Sequence, residues 1–231
     1  MKSLWSAFIR LLLLAVVGGA LLATIAILAL DRQLPSLDAL ADFRRTPDYV
    51  SLSRYPRDLI DAVVAIEDER FYVHDGIDYI GVLRAGLANL SDDLSQGAST
   101  ITMQVARNFY LSRDKTYTRK LYEVLLSYRI EKAFSKDEIL ELYMNKIYLG
   151  QGAYGFADAA RTYFGKSLNQ LSLAECAMLA GLPKAPSANN PVANPRRARQ
   201  RQAYILRRML ELGRISHPEY DGALLEPLRL K

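Results

Sequence analysis

Leu11 through Leu30 is a run of twenty residues without a single charge, and no other feature limits more severely what this chain can become. As a helix rising about 1.5 Å per residue, the run spans a ~30 Å hydrocarbon core. A cleaved signal peptide is the alternative, but its apolar region is about 7–15 residues long, and no clear A-x-A site precedes Asp31. A transmembrane anchor over 11–30 is therefore expected. Lys2 and Arg10 leave residues 1–10 as a short cytoplasmic tail and send everything after Asp31 outside; Arg32, Arg44 and Arg45 blur that asymmetry. Residues 31–53 read as a polar linker with little periodicity, and 54–231 as one domain large enough to bury a core without staples.

From Pro56 onwards nearly every segment reads helical, with glycines at the breaks and no alternating β-branched run, so the soluble part is expected to be mainly α. Ser135–Glu138 and Ser172–Glu175 both match the capping box. Gly150 and Gly213 are plausible helix stops, and the proline-rich stretch 183–195 is an irregular loop before a last helix through Tyr204 and Met209. Cys176 is the only cysteine, in an apolar helix where a core role is expected; with two histidines it also argues against a structural zinc site. Net charge is +5, with Arg196, Arg197, Arg199, Arg201, Arg207, Arg208 and Arg214 crowding the C-terminal stretch. Beside an anchor, such a cluster points to lipid headgroups or to a solvated helix. It lacks the aromatic pattern of a nucleic-acid reader, and no nucleic-acid partner is expected.

Two acids stand where apolar residues belong. On a helix running from Pro56 at about 100° per residue, Ile60, Val63, Val64 and Phe71 share one arc with Glu67 near its middle. Burial raises the pKa of such an acid towards the range where it takes a proton from a hydroxyl, although pairing with a buried cation is the alternative. Asp68, Glu69 and Arg70 fall further round, by default on a solvated face. In the segment 118–134, Leu121, Leu125 and Tyr128 make one apolar side and Leu126, Ile130 and Phe134 another, which suggests a central helix. Glu123 lies in the second arc with Arg119 one turn back, again either a structural pair or a second working carboxylate. Between them, Gly97-Ala98-Ser99-Thr100 enters a helix and presents amides and hydroxyls to an anion. Thr100, Gln104 and Arg107 continue as a polar stripe, and Lys115, Arg119 and Lys120 add charge. A diphosphate suits that set; a capped helix with a basic loop is the plainer reading.

Glu67-Asp68 followed by Phe71, His74 and Gly76 resembles the E-D-x-x-F-x-x-H-x-G signature of the peptidoglycan glycosyltransferases, which occur as monofunctional enzymes and as the first domain of class A penicillin-binding proteins. QGASTITMQVARN from Gln96, RKLYE from Arg119, ILELYMNKIYLGQGAYG from Ile139 and the stretch from Ala159 to Pro191 resemble the family's remaining motifs, in order. The resemblance implies a lysozyme-like helical head with a small membrane-associated jaw, acting on lipid II and the growing glycan strand at the outer face of the inner membrane. It implies that Glu67 is the base that deprotonates the acceptor 4-hydroxyl, and that Glu123 assists the departing undecaprenyl pyrophosphate directly or through a divalent cation, magnesium or manganese. Asp68, Phe71, His74, Gly76, Gln96, Ser99, Thr100, Gln104, Arg107, Lys115, Arg119 and Lys120 match the substrate-binding set. Arg107 stands where relatives often have Lys, Lys115 where many have Arg, and Ala98 replaces a commoner Gly. Ser112-Arg-Asp-Lys115 spells the S-x-x-K of transpeptidases, but no S-D-N or K-T-G element follows; a transpeptidase or another cell-wall synthesis protein is then a candidate partner. A lytic hydrolase using the same carboxylates and an inactive membrane scaffold are the competing readings.

Overall fold

The computed structural model describes residues 2–88, 99–111 and 117–231. Within them the helices are α1 (Lys2–Gln33), α2 (Asp38–Phe43), α3 (Arg57–Glu67), α4 (Tyr79–Ala88), α5 (Ile101–Tyr110), α6 (Tyr117–Ala133), α7 (Lys136–Lys146), α8 (Phe156–Phe164), α9 (Leu173–Ala180), α10 (Pro195–Glu211) and α11 (His217–Leu225). The only strand-like pairing among the described residues is an isolated bridge between Tyr148 and Tyr154, so the chain is mainly α as expected. The helix α1 forms its own unit, Met1–Ser36, and its stretch Ile9–Gln33 is long and apolar enough to cross a membrane. Its large apolar side chains, Leu14 and Leu22 among them, stand exposed.

Leu37–Lys231 form the second unit. Its start lies inside the stretch expected to be linker. Leu40 is fully buried, Arg44 Nη1 donates to Glu138 Oε1 at 2.5 Å, and the side-chain amide of Asn145 both accepts from Val50 N and donates to Val50 O at 2.8 Å. One buried leucine and a few backbone contacts leave no periodicity in a sequence, which is why the segment reads as linker. The helix α4 carries an exposed apolar surface of Tyr79, Ile80, Val82 and Leu83.

The core lies where α3 meets α9 and α10, and where α5 meets α6 and α7. Leu59, Ala62 and Val63 of α3, Ile101 and Ala106 of α5, and Leu126 and Ile130 of α6 are wholly buried. The opposite side of α6 is not: Leu121 is 41% exposed, so this helix buries one face rather than two. Both expected capping boxes form, and another at Ser216 and Glu219 starts α11. The helix through Met209 is therefore not the last. At its end Gly213 takes φ +65°, and Arg214 N donates to Met209 O at 2.8 Å and Gly213 N to Leu210 O at 2.9 Å, a Schellman closure that needs the glycine.

Leu40 tests whether 37–53 belongs to the domain. Leu40→Ala should cost roughly 2–5 kcal/mol of stability, read as a lower urea midpoint; an unchanged midpoint would mean that the segment is a free linker after all.

Candidate active site

Glu67 is the last residue of α3, because Asp68 leaves the helix at φ −162°, ψ 75°. The expected helix through Phe71 thus stops four residues early, and Asp68, Glu69 and Arg70 are not its solvated face. Asp68 is buried: its carboxylate accepts from His74 Nε2 at 3.0 and 3.1 Å and from the backbone N–H of Ile101 at 2.9 Å. Glu69 accepts from Arg208 Nη2 at 2.5 Å and Arg84 Nη1 at 3.1 Å, and Arg70 pairs with Asp78 at 3.3 Å. Thr100 caps α5, accepting from Met103 N at 3.1 Å and donating to Gly76 O at 2.6 Å. With the first turn of α5 fixed in this way, Gln104 points back and its Nε2 donates to Glu67 Oε2 at 2.8 Å.

Glu67 is half-buried on the wall of a cleft of about 730 Å³. Among the described residues the other charged side chains lining that cleft are all cationic: Arg107 from α5, Lys184 from the loop before α10, and Arg196, Arg197, Arg201 and Arg207 from α10. Burial pushes the Glu67 carboxyl above its ordinary value, and the Gln104 hydrogen bond and the charges of Arg201, Arg107 and Lys184 oppose that shift without cancelling it. Burial lowers the pKa of Lys184, with Arg201 adding to the effect. The hydroxyl of the fully buried Tyr143 is pushed well up by burial and by the nearby Glu67. The net effect is a carboxyl that holds its proton more tightly than an exposed glutamate, inside a positive field that opposes the shift.

Glu123 is almost completely buried, at 1% exposure. One oxygen accepts from Arg119 Nη1 and the other from Lys120 Nζ at 3.0 Å, and the same ammonium donates to Ser99 Oγ at 3.0 Å. Ser99 lines the cleft and Glu123 does not, so the paired reading of Glu123 describes this conformation. Its carboxylate acts by fixing two cations behind Ser99.

The rest of the expected substrate-binding set divides clearly. Gln104, Arg107 and Ser99 line the cleft with Glu67. Asp68, Phe71, His74, Gly76 and Thr100 lie behind it, joined to one another: Phe71 is fully buried with its ring edge-on to His74, and Gly76 takes φ +89° with Ser127 against the site of any Cβ. Gln96 and Lys115 lie outside the described residues, as does Ser112. The C-terminal arginines also divide. Arg196, Arg197, Arg201 and Arg207 line the cleft, whereas Arg199 bonds to Gln202 and Glu226, Arg208 to Glu69 and Glu211, and Arg214 pairs with Asp61. Lys184 and Arg201 line the candidate site beside Glu67 and are not in the set expected from the sequence. The arginine run itself was the available signal, on a helix whose other face carries Ile205, Leu206 and Met209.

The transglycosylase family profile matches residues 36–210. A Cupriavidus necator protein to which transglycosylase activity is ascribed is 87% identical over 231 residues, covering all of both chains. Penicillin-binding protein 1A of Neisseria flavescens is 51% identical over 93% of this chain, and that of Neisseria gonorrhoeae is 51% identical over 92%. This chain spans only 29% of the length of either. The crystal structure of penicillin-binding protein 1A from Haemophilus influenzae aligns with 79% of this chain and 18% of its own at 34% identity, with a TM-score of 0.49.

The raised pKa of Glu67 has a cost to the fold with a definite sign. Between its unfolded and folded pKa values the native state holds more protons than the unfolded one, so stability falls as pH rises through that window. Glu67→Gln keeps the Gln104 contact and removes the charge. It should therefore melt above wild type at pH values above the folded pKa, and the gap should close below the ordinary carboxylate range; equal melting temperatures at all pH would contradict the shift.

Proposed function

The chain belongs to the peptidoglycan transglycosylase family and is a glycosyltransferase, and from that premise we propose that it is a membrane-anchored enzyme that polymerises lipid II into β-1,4-linked glycan strands. The observation that carries this reading is the setting of Glu67, one hydrogen-bonded carboxylate in a cleft whose other charges, among the described residues, are six cations. A donor and an acceptor that both carry a diphosphate suit such a cleft, whereas hydrolysis of a finished strand gives no use for that much positive charge.

In the reaction the 4-hydroxyl oxygen of the acceptor sugar forms a bond to the donor's anomeric carbon. Glu67 takes the hydroxyl proton, and the anomeric carbon–oxygen bond to undecaprenyl pyrophosphate breaks. Attack from the face opposite the leaving group converts the α-linked donor to a β-linked product. Gln104 holds the base, and its hydrogen bond favours the carboxylate form that must accept the proton. The departing diphosphate meets positive charge already in place, from Arg107 and from Arg119 and Lys120, which Glu123 holds. A divalent cation belongs to this reading as a companion of the diphosphate. Among the described residues both Glu123 oxygens are engaged, by Arg119 and Lys120, so the cation enters this reading with the diphosphate rather than on Glu123.

The helix α1 supports anchoring in the inner membrane with the domain on the periplasmic side, where the lipid-linked substrate is at hand. Exposed apolar residues of α4 suit contact with the same bilayer.

Labelled lipid II in detergent, with a divalent ion supplied, should be converted to glycan strands by the full chain. Glu67→Gln should lower the rate roughly 10²–10⁴-fold while the protein stays folded. Wild type that binds lipid II but does not polymerise it would sink the proposal.

A further inference from the structure

We propose that Lys136 is a positioning residue for the Glu67 carboxylate, acting through a buried polar network that sets α5 against the end of α3. Its ammonium donates to the carbonyl of His74 at 2.5 Å and to Glu131 Oε1 at 2.8 Å, and it stands 4.6 Å from the centre of the Phe71 ring. Each contact continues towards the site. The His74 ring holds Asp68, the residue after Glu67, and Asp68 holds the first amide of α5. Glu131 accepts from Thr102 Oγ1 of α5 at 2.5 Å, two residues before Gln104. Lys136 thus reaches both sides of the junction between Glu67 and Gln104 through one intervening residue each, His74 and Glu131, although it lies on α7 and does not line the cleft.

The physical demand on Lys136 is strong. The side chain of Glu131 is only 8% exposed, and a buried carboxylate without its cation is costly. Lys136→Met leaves Glu131 unpaired and the His74 carbonyl without its side-chain donor. Glu131 then turns to solvent, releases Thr102, and lets Gln104 drift from Glu67.

Glu67 is faced by Gln104 and Arg107 from α5, Tyr143 from α7, Lys184 from the loop, Arg201 from α10 and the adjoining Asp68. Of these, Gln104 is the one that the network holds through the start of α5. Its hydrogen bond lowers the Glu67 pKa, so losing it moves the titration upward.

The proposal rests on the reading of Glu67 as base only for its catalytic consequence, and the test separates the two. In the full chain in detergent, the carboxyl-carbon NMR signal of Glu67, assigned by its absence in Glu67→Gln, is titrated in wild type and in Lys136→Met, Lys136→Arg and Thr102→Val. The midpoint should rise by roughly half to one pH unit in the Met and Val variants and return towards wild type in Lys136→Arg. Lipid II turnover near neutrality should fall about 10- to 100-fold in the same two variants, with KM little changed and the acid limb of the pH profile displaced in the same sense. Thr102→Val carries the test if Lys136→Met does not fold. Midpoints at the wild-type position in the folded variants, with activity lost only in proportion to unfolded protein, would overturn the proposal. If Glu67→Gln still polymerises lipid II, the base reading fails, and the titration still decides the role of Lys136.

Discussion

The Asp68 carboxylate is the contact on which the site depends. By accepting from His74 and from the Ile101 amide at once, it turns the chain out of α3 and supplies an orphan donor at the start of α5 with its partner. A helix end and a helix start are thereby joined through one buried group. Glu67, one residue before the junction, and Gln104, three residues beyond the Ile101 amide, can meet only because that junction is fixed. Gly76 and Thr100 tighten it from the side, through a backbone carbonyl that comes within reach because Gly76 lies at positive φ.

This division of labour explains what could and could not be read from residues alone. Glu67 was legible because it interrupts an apolar arc with a 3.6-residue period, and the capping boxes at Ser135 and Ser172 were legible because both partners lie within four residues of each other. The end of α3 was not, since nothing local in Asp68-Glu69-Arg70 forbids another turn; the buried His74 and the α5 amide stop it. Lys184 and Arg201 were missed for a related reason. They lie more than a hundred residues from Glu67, and an arginine-rich stretch carries no sign of which guanidinium groups face a cleft and which, like Arg208 and Arg214, tie helices together. Glu123 was legible as a buried acid, but its service to Arg119 and Lys120 rather than to the cleft is a matter of geometry. The motif order pointed to the family; it did not say which motif residues touch the cavity and which hold those that do.

Glu67 also shows opposing forces acting on one carboxyl. Desolvation favours its neutral form, while one hydrogen bond and three cations favour the charged one, and the result remains on the raised side. An acid tuned in this way is worse for the fold than a glutamine and better for accepting a proton.

The six cations lining the cleft have a consequence for molecules designed to fill it. Without a ligand their mutual repulsion is relieved mainly by water and mobile counter-ions, so the empty cleft is the less comfortable state of the domain. A neutral, purely apolar compound of the right shape would expel that solvent and leave the guanidinium groups facing one another. Shape complementarity alone is therefore a poor guide to affinity here, and useful inhibitors should carry their own negative charge at the α10 wall.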